Sequence, residues 1–342
     1  QWINDLKQLK KRKVVITDDQ VKSLYAERIA SQLGATLLHF PAGEAHKTRT
    51  TKAALEDQLL TQCFGRDSVI IAIGGGIVSD LAGFVAATYC RGIDFICVPT
   101  TLLAMVDASV GGKTAVNTAH GKNLIGAFKQ PSAVYIDPQF IHTQSEQHCI
   151  DGIIETLKHG LIDDHALLQQ LSQLPTPVQQ QNLTALIASS VRVKRDIVCQ
   201  DVHETGLRAT LNLGHTIAHG LETLLDHRLS HGQAVLHGLL IEAKIALDKN
   251  ILSAAAFDRI QQLHQQWRRG TLHFNQDQIK PLIACLQHDK KNQQQRIHMV
   301  LLQAVNQVHT TEGQYTTAIE IAEIERALNW FIEQEALHAN AD

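Results

Sequence analysis

The most constraining feature of the sequence is an apolar run over residues 69–90, which three consecutive glycines, Gly74, Gly75 and Gly76, interrupt. The run is long enough to suggest a membrane span, but the glycines and Asp80 do not suit one apolar helix. A buried strand that turns directly into a helix explains the run better. Glycines at such a turn let the backbone approach a phosphate, and the helix N-terminus offers free N–H groups.

The glycine cluster by itself leaves two interpretations open. It meets the dinucleotide fingerprint G-x-G-x-x-G only in part, because Ser79 occupies the third glycine position. The acidic residue about 20 positions further on, Asp94, begins a predicted strand instead of ending one. A structural glycine turn therefore fits the cluster about as well as a nucleotide site does.

Short β-branched runs alternate with helical patterns through the first part of the chain, which is typical of a parallel sheet covered by helices on both faces. The predicted strands are 14–17, 35–40, 68–73, 94–98 and 133–136. Polar segments follow several of these strands, at the carboxyl ends where such sheets bind ligands. A glycine-rich loop over 107–114 and the segment 121–123 add two lysines.

Beyond residue 146 the pattern changes to long helical segments, predicted at 151–173, 176–202, 207–226, 231–250 and 254–268. One short β pair, near 296–303 and 307–310, precedes a last helix over 318–335. We therefore predict two domains, as a length of 342 residues also favours. The first, over 1–146, is an α/β domain with a Rossmann-like parallel sheet that binds a nucleotide, and the second, over 147–342, is mainly α-helical.

Composition limits the partners and the compartment. The net charge is −3, so neither nucleic acid nor an anionic membrane is an expected partner, and any anion must be bound by a local cluster. Six cysteines without a C-x-x-C pair predict reduced core cysteines and a cytoplasmic location. No signal peptide precedes the first element, and because the chain opens on Gln1 and not on Met we expect a few residues before it.

A histidine-rich stretch over 207–235 is the strongest candidate for chemistry. In a continuous helix its polar residues fall at i, i+4, i+7, i+11 and i+14, on one face: Arg208, Asn212, His215, His219 and Glu222. An amphipathic surface helix is the ordinary explanation of such a pattern. This face holds no lysine, however, and its side chains are good ligands, hydrogen-bond donors and anion clamps, which favours a cavity lining. His231 follows within a short loop.

Several segments together resemble the 3-dehydroquinate synthase family, in its order and close to its spacing. They are GGGIVSDLAGFVAATYCRGIDFICVPTTLLAMVDASVGGKTAVN, GKNLIGAF, ETLKHGLI, ETGLRATLNLGHTIAHGLE and HGQAV. The resemblance implies a homodimeric lyase of the shikimate pathway that uses NAD and a divalent metal. The implied reaction converts 3-deoxy-D-arabino-heptulosonate 7-phosphate to 3-dehydroquinate and phosphate, by transient oxidation, phosphate elimination, re-reduction and intramolecular aldol closure.

The resemblance also implies a role for individual residues. The metal ligands would be Glu155, His215 and His231, a set that suits Zn²⁺ and tolerates Co²⁺. NAD would be bound by Asp18, Glu44, Lys47, Gly75, Gly76, Ser79, Asp80, Thr100, Thr101, Lys113, Lys122, Phe140 and Thr143. The substrate would be contacted by Asp107, Lys113, Asn123, Lys158, Lys194, Arg208, Asn212, His219 and Lys290. Arg91 resembles the arginine that the family inserts into the active site of a partner subunit.

Alternatives remain for several of these residues. Lys291 competes with Lys290 for the last substrate contact. Lys194 and Lys290 are also compatible with surface lysines, and His219 with a packed histidine. The other histidines are predicted to be surface or structural residues: His165, His203, His227, His237 and His264. Three departures from the family pattern, at His159, at Ile217 with Ala218, and at Gln233, concern fine tuning more than the reaction class.

Three rival functions follow from the same residues. A metal-dependent polyol or alcohol dehydrogenase has a similar glycine-rich domain and helical metal site, and it would accumulate NADH. A related sugar phosphate cyclase would take a different sugar phosphate. A nucleotide-binding protein without catalytic activity would not need three metal ligands beside a group of cations.

Overall fold

The computed structural model describes residues 1–226, 228–287 and 296–339. The chain divides into two compact units, of which the first comprises Gln1–Gly152 and Gln179–Ile187. The second comprises Ile153–Val178 and Ala188–Asp342. The assignment of ranges 1–146 and 147–342 to nucleotide binding and to metal and substrate binding stays a prediction.

The first unit is built on a parallel five-stranded sheet, as the alternation of strand and helix patterns predicts. Its strands, in the order β2-β1-β3-β4-β7, are β1 Arg12–Asp18, β2 Thr36–Phe40, β3 Ser68–Gly74, β4 Asp94–Pro99 and β7 Ala133–Val134. The register pairs Ile16 with Ala72 and Ile71 with Ile96. The β-branched side chains of the central strands β1, β3 and β4 are buried, as expected for a parallel sheet with helices on both faces.

Helices and one hairpin complete this part of the chain. The helices are α1 Trp2–Lys7, α2 Asp19–Val21, α3 Glu27–Leu33, α4 Arg49–Thr61, α5 Gly76–Thr88 and α6 Glu146–Asp163. The hairpin pairs β5 Lys113–Thr118 with β6 Gly121–Phe128. The sequence predicts a glycine-rich loop over 107–114 and no strand in 113–128, because the glycines and lysines obscure the alternation that would predict strands.

The apolar run that opens the sequence analysis is a strand followed by a helix. Residues 69–73 of β3 are at most 1% exposed, and α5 begins two residues after the strand ends. Gly83 lets α5 pack closely, since a Cβ there would lie 2.5 Å from Cγ2 of Thr114. Among the described residues, no helix combines the length and the apolar character that a membrane span needs.

The second unit is mainly helical, as predicted. Its helices beyond α6 are α7 His165–Ser172, α8 Thr184–Gln200, α9 His215–Leu224, α10 His231–Asp248, α11 Ala254–Trp267, α12 Ile279–Gln287 and α13 Ile321–Ala339. The predicted helix over 151–173 is in fact two helices, because Asp164 caps the N-terminus of α7 by accepting the N–H of Leu167.

The predicted β pair near the end of the chain has a different pairing. Four short strands are present: β8 Ile297–Met299, β9 Leu302–Ala304, β10 Gln307–Val308 and β11 Thr317–Ile319. β9 pairs with β10, but β8 pairs with β11. The sequence analysis placed 318 in the last helix, whereas that residue lies in β11 and α13 begins at Ile321.

The cysteines are free, as predicted, but not all of them are core residues. Cys97 and Cys149 are buried, whereas Cys63 and Cys199 are exposed. Burial raises the pKa of the Cys97 thiol to about 12. The prediction of six core cysteines was therefore wrong for the exposed pair, which lie near the ends of α4 and α8.

Two glycines bring α9 and α10 together at the start of α9. Gly214 has a φ of +79°, and a Cβ added to Gly238 would lie only 2.0 Å from the carbonyl oxygen of Gly214. The N–H of Gly214 donates to a buried carboxylate oxygen of Glu242, 2.6 Å away. This contact between backbones sets the position of His215, at the start of α9, relative to His231, at the start of α10.

Candidate functional site

Three side chains in the second unit converge on one point. Glu155 lies on α6 and is fully buried, while His215 and His231 begin α9 and α10. Nε2 of His215 is 3.5 Å from Oε1 of Glu155, and Nε2 of His231 is 3.4 Å from the same oxygen. One atom from each residue lies within 4.8 Å of the others.

The spacing of these donors fits a tetrahedral metal ion. Donor atoms held about 2.0–2.1 Å from Zn²⁺ in a tetrahedron lie about 3.3–3.4 Å apart. The two measured edges, 3.5 and 3.4 Å, are close to that value. One carboxylate and two imidazoles are also the ligand types of catalytic zinc sites that leave a position for substrate. Geometry and donor chemistry therefore both fit the ion.

Each imidazole is oriented through its second nitrogen. Nδ1 of His215 lies 3.1 Å from the carbonyl oxygen of Leu213, and Nδ1 of His231 lies 3.6 Å from Oε2 of Glu222. Acceptors at these positions favour a proton on Nδ1, which leaves Nε2 of each ring for a metal. Glu222 was assigned only to a polar helix face in the sequence analysis, because its distance to His231 depends on the turn between α9 and α10.

The two histidines differ in their electrostatic surroundings. Burial and the nearby Lys158 ammonium lower the pKa of His215 well below its usual range, so its ring is neutral. Burial also lowers the pKa of His231, but Glu155 and Glu222 outweigh that effect and raise the pKa to about 10. A metal at Nε2 therefore has to displace a proton from His231.

The polar stripe predicted for a continuous helix is divided in the structure. Arg208 and Asn212 lie in a 3-10 segment, Leu207–Asn212, whereas His219 and Glu222 lie on α9. The prediction of one helical face over all five residues was wrong, because Gly214 adopts the left-handed conformation that ends the first segment.

Cationic side chains are buried in the same unit. Lys158 is 2% exposed, Lys194 7% and Arg208 2%. Lys158, three residues after Glu155 on α6, forms an ion pair with its carboxylate. A guanidinium nitrogen of Arg208 donates to the carbonyl of Val202, 2.6 Å away. Lysine and arginine bind carboxylates and phosphates through charge-assisted hydrogen bonds, so cations of this kind suit an anionic ligand.

His219 lies beside the three donors but is not one of them. Its ring meets that of His215 edge-on, with the centroids 5.5 Å apart. Over the parts of the chain that the structure describes, no group of three donors within 4.8 Å includes His219. Although His215 and His219 are four residues apart on α9, the two side chains therefore do not belong to one group of metal donors in this conformation.

The loop before Arg208 contains acidic residues that the sequence analysis did not single out. Asp201 accepts the backbone N–H groups of Gly206 and Arg208 at 2.8 and 3.0 Å. Glu204, with a φ of +60°, accepts from Nδ2 of Asn212 at 2.6 Å. These contacts hold Arg208 and Asn212 in place. Asp201 and Glu204 could not be predicted as their partners, because they belong to no helical or strand periodicity.

Two departures from the family pattern have clear local contacts. His159 is fully buried on α6, and its Nδ1 is 2.7 Å from Oγ of Ser190. The amide of Gln233 donates to the carbonyl of Trp267 and accepts the N–H of Arg269. Gln233 therefore ties the start of α10 to the end of α11.

In the first unit, the glycine turn leads into the N-terminus of α5. Gly75 is the N-cap and provides no side-chain capping bond, so the first N–H groups of this helix suit a phosphate. A Cβ on Gly75 would lie 3.1 Å from Cγ2 of Thr101, and one on Gly76 would lie 3.2 Å from Cβ of Ala108. Both glycines therefore let the turn pack against Thr101 and Ala108, and the first N–H groups of α5 are the feature that is compatible with a dinucleotide pyrophosphate.

Lys47 links several of the residues predicted to bind NAD and substrate. Its side chain is buried, forms an ion pair with Asp80, and donates to Oδ1 of Asn123 at 2.6 Å. The carboxylate of Glu44 accepts from Nδ2 of Asn117 at 2.7 Å. These five residues form one network across the loop after β2, α5 and the hairpin.

The other residues predicted in this unit lie on several elements. Asp18 ends β1, where burial raises the pKa of its carboxyl group. Thr143 accepts or donates a 2.6 Å hydrogen bond with Tyr25, whose ring packs edge-on against Phe140. The remaining placements are Ser79 on α5, Thr100 and Thr101 after β4, Asp107 in the turn Ala104–Ala108, Lys113 on β5 and Lys122 on β6.

Two further predictions concern residues outside these networks. Arg91 is exposed and has a φ of +62° in a turn where Cys90 and Gly92 also have positive φ. Lys290 lies outside the described residues, as does Lys291.

Comparison with known proteins identifies the family. The sequence model of the 3-dehydroquinate synthase N-terminal domain matches residues 37–151, and that of the C-terminal domain matches 152–292. A 3-dehydroquinate synthase from Pseudoalteromonas translucida (strain TAC 125) is 44% identical over 304 residues, which cover 85% of this chain and 83% of the relative. The chain belongs to the 3-dehydroquinate synthase family.

Solved structures of sugar phosphate cyclases have the fold of this 3-dehydroquinate synthase family member. A 2-deoxy-scyllo-inosose synthase complexed with carbaglucose-6-phosphate, NAD⁺ and Co²⁺ has a TM-score of 0.87 and 25% identity, covering 94% of this chain and 90% of that one. A 2-epi-5-epi-valiolone synthase from Streptomyces hygroscopicus subsp. jinggangensis 5008, with NAD⁺ and Zn²⁺ bound, has a TM-score of 0.85 and 26% identity, covering 95% and 92%.

Proposed function

We propose that this chain is a 3-dehydroquinate synthase that converts 3-deoxy-D-arabino-heptulosonate 7-phosphate to 3-dehydroquinate and phosphate. The observation that carries the proposal is the donor set of Glu155, His215 and His231, in a chain 44% identical to a 3-dehydroquinate synthase. A nucleotide-binding protein without activity has no need of such a set. Membership of this family argues against a polyol or alcohol dehydrogenase.

We propose that the chain binds two groups. Glu155, His215 and His231 would hold Zn²⁺ or Co²⁺, and residues of the first unit, among them the glycine turn and Lys47, would hold NAD. Two related cyclases, one with NAD⁺ and Co²⁺ and one with NAD⁺ and Zn²⁺, support this pair of groups. When bound, NAD supplies reversible hydride exchange and the metal polarises the reacting oxygen.

The protein's own side chains bind the substrate and handle its charge. A carboxylate and a phosphate are both good partners for lysine and arginine, which bind them through charge-assisted hydrogen bonds. We assign this role to Lys158, Lys194 and Arg208, with Asn212 as a neutral partner. The contribution of Asp107, Lys113, Asn123 and Lys290 to substrate binding remains part of the proposal.

His219 is the remaining imidazole beside the donor set. Its ring meets that of His215 edge-on, with the centroids 5.5 Å apart, so it lies next to one of the three donors. We assign it to the phosphate of the substrate or to the proton transfer that accompanies phosphate loss. Exclusion of water by the buried site protects the reactive intermediates from side reactions.

We further propose a cytoplasmic homodimer. Arg91 is exposed on a turn with three successive positive φ angles, which is a costly conformation for residues other than glycine. Its proposed role is to enter the active site of a partner subunit. The cytoplasmic location rests on the free cysteines and their lack of paired spacing.

The test is a turnover assay on 3-deoxy-D-arabino-heptulosonate 7-phosphate with NAD and Zn²⁺, in which phosphate and NADH are followed together. We expect phosphate release that is abolished by a chelator and restored by Zn²⁺, without net NADH. A panel of other sugar phosphates and simple diols is the matched control. Stoichiometric NADH accumulation, or preference for another sugar phosphate, would contradict the proposal.

A further inference from the structure

Asn117 lies in β5 and contacts three of the residues assigned above to NAD and substrate. Its Nδ2 donates to Oε1 of Glu44 at 2.7 Å, and its Oδ1 accepts the N–H of Asn123 at 3.0 Å. Its backbone N–H donates to the carbonyl of Lys47 at 2.8 Å. One residue therefore fixes Glu44, Lys47 and Asn123 relative to one another.

The chemistry of an amide suits this position. A planar carboxamide offers a donor and an acceptor from a single group, so it can hold a carboxylate on one side and a backbone N–H on the other. A hydrogen bond from a neutral donor to a carboxylate is also stronger than one between neutral groups. An aspartate at the same position would keep the acceptor but would face the Glu44 carboxylate with a like charge.

The backbone conformation of Asn123 requires support from neighbouring residues. Its φ of +55° is in the left-handed region, which asparagine tolerates better than most residues but which still needs local support. Asn117 binds its backbone N–H, while Lys47 donates to its side-chain oxygen at 2.6 Å. Backbone and side chain of Asn123 are thus fixed from two directions.

We propose that Asn117 is a positioning residue, which aligns Glu44 for NAD and Asn123 for the substrate through the two ends of its carboxamide. This inference rests on the proposed function, because it takes from it the roles of Glu44 and Asn123. Asn117 itself is not assigned a contact with either ligand.

Two substitutions test the two contacts of the Asn117 amide separately. Asn117→Asp keeps the acceptor for Asn123 and sets a carboxylate against Glu44, so we expect NAD to bind about tenfold more weakly, with a smaller change in the KM for substrate. Asn117→Ala removes both contacts, so both NAD affinity and KM should worsen. Thr118→Ala is the matched control. Thr118 is the neighbour of Asn117 in the same hairpin, and the hydrogen bonds of its hydroxyl join it to His120 and Gly121.

The measurements are NAD affinity by calorimetry, and kcat and KM by phosphate release. Zinc binding by each variant shows that the second unit is intact, since the metal donors lie there, and urea unfolding followed by circular dichroism shows that the first unit has also folded. Asn117→Asp should cost less NAD affinity in an E44Q background than in the wild type, because the amide introduced at position 44 can donate to the new carboxylate. This rescue separates positioning from a general loss of hairpin structure.

Three results would overturn the inference: unchanged NAD affinity in Asn117→Asp, an equal loss in Thr118→Ala, or no rescue in the E44Q background. Failure of the proposed function would give a different result from failure of this inference. In that case the wild-type protein itself would not release phosphate from the heptulosonate phosphate, whichever residue stands at position 117.

Discussion

Substitution of Glu222 tests whether the residues around the metal donors contribute to zinc affinity, as the donors themselves do. Its Oε2 is 3.6 Å from Nδ1 of His231, and the residue is only 6% exposed. A full charge pair at that distance would interact by about 5 kcal/mol at an effective dielectric constant of about 20. The ring of a metal ligand is neutral and only its N–H is polarised, so Glu222→Gln should cost much less than this.

Loss of such a partner usually weakens metal binding by about 10- to 100-fold, which is about 1.4–2.7 kcal/mol. We expect that loss for Glu222→Gln in a competition between the metal-free protein and a coloured zinc chelator. Glu323→Gln is the matched control, because Glu323 pairs with Lys249 and is not among the metal donors. Zinc affinity equal to that of the wild type would refute the argument that Glu222 supports His231.

Three further substitutions test the packing, the acid response and the cofactor cradle. Gly238→Ala places a Cβ against the carbonyl of Gly214 and should lower the free energy of unfolding by about 1–3 kcal/mol, measured in urea, and reduce zinc content; unchanged values would contradict this. Burial, with Arg268, lowers the pKa of His237 to about 3, so the unfolded state binds its proton first and stability falls as pH drops below about 6.5. His237→Gln should remove about 2 kcal/mol of the loss between about pH 7 and about pH 5, and an unchanged pH profile of unfolding would disprove that. Gly76→Ala should weaken NAD binding in calorimetry while zinc affinity stays the same, and equal NAD affinity would count against the cradle.

The parallel sheet is predictable from the sequence because the signals of its strands are local. Strands β1 to β4 are continuous β-branched runs between helical patterns, and burial of both faces explains their composition. The hairpin of β5 and β6 was missed because its glycines and exposed positions do not alternate. Pairing of β8 with β11 was also missed, since strands of three residues carry little periodicity.

The site was predictable in its residues but not in its geometry. Glu155, His215 and His231 were named through family resemblance, since no spacing relates a residue on α6 to the starts of α9 and α10. The break at Gly214 and its contact with Gly238 decide which side chains share a helix, and neither follows from helical periodicity. Partners such as Glu222, Asp201 and Asn117 become visible only when distant elements are packed together.

The central claim is the division of roles between His215 and His219, and the most direct measurement is the zinc content and turnover of His215→Ala beside His219→Ala. We expect His215→Ala to lose both zinc and phosphate release, because its Nε2 is one of three donors around the site. His219→Ala should keep stoichiometric zinc and lose most of its turnover. Loss of zinc in His219→Ala, or retention of zinc and turnover in His215→Ala, would contradict the proposed metal centre.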